Sequence, residues 1–313
     1  MKKTLALVFL ILFLVASAAY SWEKATHAYV VDQMKDLDGP HKLAKIYGTM
    51  APDIFNYAFD LPPALYDYLH FETHNNFMKG WNAVEEKDDE SFAFGFVCHN
   101  DVWGADFAAH WEAMTTGIPE GYIITKAKIL HEILLHIEEY EALGELGVDY
   151  DTYIELNHSI AEAAGDIIIK RADPAIGAKI MASAHFHDEF FRSLLLRAYL
   201  TDLASIVGDE QMAQEIILGY EDWFRQNMVI GYGQLLQEKE SVVINEIVED
   251  FNVLVGAYLA SKGITLPPGM DLRPLIYFAL TAAISLCEPD YMMEVEATID
   301  FVKEQLELHG IIN

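Results

Sequence analysis

Two cysteines, Cys98 and Cys287, in a chain of 313 residues are too few to build a disulfide framework. Both fall in apolar helical stretches and read as buried thiols, a single bridge between them being the other option. Basic residues are also scarce. Twenty Lys and Arg stand against 49 Asp and Glu, a formal net charge of −29. That argues against a broad electrostatic grip on long nucleic acid or anionic lipid. Alternating runs of strand type are missing, as are internal repeats and low-complexity tracts. Only the start of the chain carries an unbroken apolar run, Leu5–Val15, and it is short for a helix crossing a membrane.

What is present is helical period in nearly every long segment, which predicts an all-α protein. Lys2 and Lys3, the apolar run, and then Ala19 and Ser21 describe a secretory signal over residues 1–21, cleaved before Trp22. The product is expected to be secreted or periplasmic and to have no transmembrane segment; an uncleaved anchor is the alternative. Residues 22–172 hold the side chains of metal-ligand type and are read as a metal-binding helical core. Residues 173–313 are expected to pack on that core or to form a second lobe, with helices near 190–206, 210–227, 232–261, 271–286 and 290–309. No ligand cluster is found from Phe190 onward.

The stretch Phe92–Trp111, FAFGFVCHNDVWGADFAAHW, reads as one helix. At about 100° per residue, Asp106 lies about 20° to one side of His99 and His110 about 20° to the other. His99 and His110 would be roughly 16 Å apart along the axis, so they would serve different ions, with Asp106 between them to bridge. Two core histidines and a paired aspartate would give the same stripe. Asp53 follows Pro52 in a loop, where a turn former is equally at home. His70 and His74 are one turn apart and could face one site. His158 and Glu162, at i and i+4, could chelate one ion or form a helix pair. His131 and His136 resemble the HExxH zinc motif with one residue too many. That places them about 140° apart, and the motif is rejected.

Taken together, these positions resemble the zinc-dependent phospholipase C and single-strand nuclease superfamily, over about Trp22–Asp166. Its members are secreted and all-α, carry three zinc ions, and begin with a tryptophan whose amine and carbonyl bind zinc. The resemblance implies a multi-helix bundle of the phospholipase C type with additional C-terminal helices, binding two to three zinc ions. It implies Trp22 and His27 as ligands, and Asp53 as the early zinc aspartate. His70 matches the histidine that follows, with His74 its rival. His99 and His110 match the first and last histidines of the central helix, and His158 and Glu162 the closing pair. The bridging aspartate usually follows the first central histidine by four residues, a position held here by Trp103. Asp106 is therefore assigned the bridge. Asp101, about 160° from His99 on a helix, is not. The implied reaction is metal-assisted hydrolysis of a phosphodiester, with Asp53 and Asp106 as catalytic carboxylates. A phospholipid substrate is the first choice; a nuclease or nucleotidase acting on single strands or mononucleotides is the second. A non-catalytic helical metal-binding protein is the third reading, kept open by Trp103.

Overall fold

Proline and acidic caps start the helices where the sequence places them. Pro63 opens one helix. The Asp149 and Asp209 carboxylates accept the backbone N–H of Thr152 and Met212, each at 2.8 Å, and open two more. The computed structural model describes residues 24–34, 40–58, 61–185 and 189–312. The leader 1–21 and Trp22 lie outside the described residues. All regular structure among the described residues is helical, with no strand.

The first half comprises α1 (Lys24–Gln33), α2 (Pro40–Met50) running into a 3₁₀ turn (Ala51–Tyr57), α3 (Pro63–His74), α4 (Met78–Asn82), α5 (Lys87–His99), α6 (Ala105–His110), α7 (Tyr122–Leu134), α8 (Glu138–Glu145) and α9 (Tyr150–Ala172). There follow α10 (Ile176–His185), α11 (Glu189–Val207), α12 (Glu210–Phe224), a π-helical stretch (Arg225–Gly231), α13 (Tyr232–Leu235), α14 (Glu240–Ser261), α15 (Arg273–Cys287) and α16 (Tyr291–Leu308). The core is built around α9, which is buried on every side from Asn157 to Ile169. Helices α1, α7 and α15 surround it. The later helices lie directly on the earlier ones: α10 on α1 and α2, α15 on α9, and α16 on α1 and α6. Cys98 and Cys287 are buried and unbridged. No described helix is long and apolar enough to cross a membrane.

Three local expectations are corrected. Phe92–Trp111 is not one helix, because Asn100 breaks it. The Asn100 Oδ1 accepts the N–H groups of Val102 and Trp103 at 2.8 Å and of Gly104 at 3.2 Å. Its Nδ2 donates to the Val97 carbonyl at 2.7 Å. The side chain thus supplies partners that a continuing helix would have supplied, and the chain turns before α6. The helical period of Ile124–Leu143 predicts one helix, but the chain leaves it at Leu134 and resumes at Glu138. Asp53 sits in the 3₁₀ turn rather than in an open loop.

Helices α2 and α5 cross with their backbones in contact, which only glycine allows. A Cβ on Gly95 would lie 2.1 Å from the Lys45 carbonyl oxygen, and one on Gly48 would lie 2.2 Å from that of Phe92. The close crossing brings the Thr49 carbonyl within 2.8 Å of His99 Nδ1. Gly95→Ala is expected to force the two helices apart and to cost about 3 kcal/mol or more in urea unfolding. An unchanged midpoint would mean that the crossing is not this tight.

Candidate metal centre

Because α5 ends at His99 and the chain turns at Asn100, His99 and Asp106 meet head-on instead of standing two turns apart. His99 Nε2 is 2.9 Å from Asp106 Oδ2 and 3.5 Å from Asp53 Oδ1. From α3, His74 Nε2 approaches the same atoms, at 3.4 Å from Asp53 Oδ1 and 3.9 Å from Asp106 Oδ2. Donors around a tetrahedral transition-metal ion at about 2.0–2.2 Å are roughly 3.3–3.6 Å apart, close to these separations. The far nitrogens are held by oxygen atoms of the backbone and a hydroxyl. His99 Nδ1 faces the Thr49 carbonyl at 2.8 Å; His74 Nδ1 faces the His70 carbonyl at 3.0 Å and Thr73 Oγ1 at 2.9 Å. That directs Nε2 of each ring into the group.

A second group forms where α6 meets α9. His158 Nε2 is 2.9 Å from Glu162 Oε1, and His110 Nε2 is 3.6 Å from the same oxygen. The two Nε2 atoms are 3.1 Å apart. Asp101 Oδ1 lies 3.4 Å from His110 Nδ1, and Glu155 Oε1 lies 3.7 Å from His158 Nδ1.

Asp106 ties in a third element. Its Oδ1 lies 3.1 Å from His27 Nε2 on α1, while its Oδ2 faces His99. Position 27 is fixed by Asp166 on α9. That carboxylate accepts the N–H of Ala25 and of Thr26 and the Thr26 hydroxyl, each at 2.8 Å. The Tyr232 hydroxyl also donates to it, at 3.0 Å. A carboxylate at the start of α1 satisfies N–H groups that the helix itself cannot. Burial pushes the Asp166 carboxyl up to about 6, and these donors limit the rise.

Neither oxygen of Asp106, neither of Glu162, and none of His27 Nε2, His74 Nε2 and His99 Nε2 has a well-formed hydrogen bond, although all are buried. Buried polar atoms nearly always have a partner. The same carboxylates and imidazoles shift one another's basicity. Burial opposes charge on His99, but Asp106 and Asp53 outweigh it and hold the imidazole well above its ordinary range. Burial likewise opposes charge on His158, yet Glu162 and Glu155 raise it to about 9. His27 goes the other way, lowered by burial and then by His99. Burial would raise Asp53 and Asp106, but the surrounding imidazoles hold both below the usual carboxylate range. Such buried His and carboxylate groups could hold metal ions.

Of the ligand candidates read from the sequence, His27, Asp53, His74, His99, Asp106, His110, His158 and Glu162 are brought together. His70 is turned aside: its Nδ1 lies 2.8 Å from Asn56 Oδ1, and Asn56 Nδ2 donates to Asp53 Oδ1 at 2.7 Å. Burial and the neighbouring His74 bring His70 down to about 3. Trp22 lies outside the described residues. His131, in the rejected HExxxH stretch, faces the Tyr140 hydroxyl at 2.8 Å, and His136 is exposed beyond the end of α7. Asp101, which a straight helix would turn away from His99, joins Asp106 and His110 in a further candidate group. The turn formers Asn100, Asp101 and Gly104 were the signal that the helix would break there. Comparison of the chain with protein-family models, with curated proteins and with solved structures finds no match.

Proposed function

We propose that the protein is a zinc-dependent phosphoric ester hydrolase of the phospholipase C type, exported by the cell. The observation that carries this reading is the position of Asp106. Its two oxygens face different imidazoles, His27 on one side and His99 on the other, and neither oxygen has a well-formed hydrogen bond. A carboxylate so placed suits two cations side by side. Asp53, His74, His99 and Asp106 would hold one zinc, His110, His158 and Glu162 another, and His27 with Asp106 would contribute to a third. Zinc, when bound, polarises a phosphoryl oxygen and activates water near neutral pH.

The chain's own residues do the rest. Thr49, His70 and Thr73 fix the ring orientations of His99 and His74, so the donors are set before substrate arrives. Asn56 donates to Asp53 Oδ1 and orients that carboxylate, the candidate acceptor for a proton in the reaction. Phe71, Val102 and Trp111 are exposed, and they are the chain neighbours of His70, Asp101 and His110. Exposed apolar side chains next to the candidate metal groups suit a phospholipid better than a nucleotide, and the strong negative charge disfavours long polyanions.

The test is elemental analysis of the purified exported protein, followed by a panel of phosphatidylcholine, a single-stranded oligonucleotide and mononucleotides. Two to three zinc per chain with release of the phosphorylated head group is expected. His74→Ala is expected to lose zinc and His70→Ala to retain it. A protein that takes up no zinc overturns the reading. Cleavage of nucleotides without phospholipid transfers it to the nuclease branch, and zinc without any turnover leaves a binding protein.

A further inference from the structure

The two groups of imidazoles differ in what holds their far nitrogens. In the His74–His99 group, Nδ1 of each ring faces a neutral oxygen: the Thr49 carbonyl for His99, and the His70 carbonyl and Thr73 hydroxyl for His74. In the His110–His158 group, each Nδ1 faces a carboxylate, Asp101 at 3.4 Å and Glu155 at 3.7 Å. An imidazole whose N–H points at a carboxylate is the more basic donor at its other nitrogen. The two negative charges also attract any cation placed between His110, His158 and Glu162. Asp101 is kept in place by its backbone, whose N–H donates to the His74 carbonyl at 3.1 Å.

We propose that Asp101 and Glu155 are positioning residues for the His110–His158–Glu162 position, and that they make it the tighter of the two principal ion positions. The consequence is ordered loading: under limiting zinc this position fills first, and the His74–His99 position fills and empties as zinc varies. The inference rests on the metal-site reading above and adds to it a difference between the two positions.

Competition of the zinc-loaded full chain against a chromophoric chelator resolves the successive constants. His158→Ala and His74→Ala assign each constant to its position. The tighter constant is expected to disappear in His158→Ala. Asp101→Asn and Glu155→Gln keep the shape and remove the charge. Each is expected to weaken the tighter constant about 10–100-fold and leave the other unmoved. With cobalt in place of zinc, the visible absorption of that position is expected to shift in both variants, which a purely structural role would not cause. Asp101→Glu is expected to restore part of the affinity. The proposal is overturned if the tighter constant belongs to the His74 position, or if both variants leave the constants unchanged while the wild type loads normally. It is also overturned if Asp101→Asn loses a whole ion, which would make Asp101 a direct ligand. Failure of the wild type to take up zinc at all overturns the hydrolase reading together with it.

Discussion

Stripping the protein with a chelator is expected to lower its thermal unfolding midpoint by about 10–20 °C, and added zinc is expected to restore it. An ion that binds only the folded chain stabilises it by about 2.7 kcal/mol at a hundred times its dissociation constant and by about 4.1 kcal/mol at a thousand times. Two such positions together contribute about 5–8 kcal/mol, and each kcal/mol moves the midpoint of a chain of this length by about 2 °C. Against the cost of burial, the carboxylates around them hold His110 and His158 above the ordinary imidazole range. Since zinc must displace the proton of His158, which Glu162 and Glu155 raise to about 9, its affinity is expected to climb with pH through the neutral range. At a fixed concentration of free zinc the protein should therefore hold less zinc at pH 6 than at pH 8. Calorimetry with and without chelator at both values checks the amplitude and its direction. A midpoint indifferent to chelator in a zinc-loaded sample would contradict the account.

Asp166→Ala is expected to destabilise the fold by about 3–5 kcal/mol, in the metal-free protein as well as the loaded one. The substitution leaves the N–H groups of Ala25 and Thr26, the Thr26 hydroxyl and the Tyr232 hydroxyl without their shared acceptor. Asp166 and Ala25 are 141 residues apart, so the contact joins the start of α1 to the middle of the central helix. It also fixes where His27 stands relative to Asp106. Urea unfolding of the metal-free chain measures the loss free of any contribution from zinc. A change below about 1 kcal/mol would show that α1 is held mainly by its apolar face, through Ala25, Ala28 and Val31.

Much of the candidate site was legible in residue types and spacings, though not always for the reason used. His158 and Glu162 meet because α9 is a regular helix, and regular helices are what periodicity reads well. Asp106 was chosen because it shares a helical face with His99, yet the two meet because the helix is interrupted between them. In a straight helix they would stand roughly 10 Å apart along the axis. The choice between His70 and His74 was not available from spacing, because both point from one face of α3. It turns on Asn56, which occupies His70 from the neighbouring 3₁₀ turn. Asp166 is invisible to local pattern for a different reason: its partners on α1 lie 140 and 141 residues away along the chain, and nothing in the residues around it announces a cap for another helix. The second half of the chain was legible as helices but not as packing, since a helical period says which face is apolar and not which helix covers it.

The last helix has a bearing on how the protein is made. Tyr291 on α16 places its hydroxyl 2.7 Å from Thr26 Oγ1, and the Glu294 carboxylate takes the backbone N–H groups of Met114 and Thr115 just beyond α6. Further along, Phe301 stacks on Phe107, and His309 stacks on Trp103 in the turn that follows His99. Three segments around the candidate site therefore lean on α16, which for Thr26 and Tyr291 means a partner 265 residues further along the chain. The candidate ligands all precede α16 in sequence, so their register is expected to be fixed only once that helix has docked.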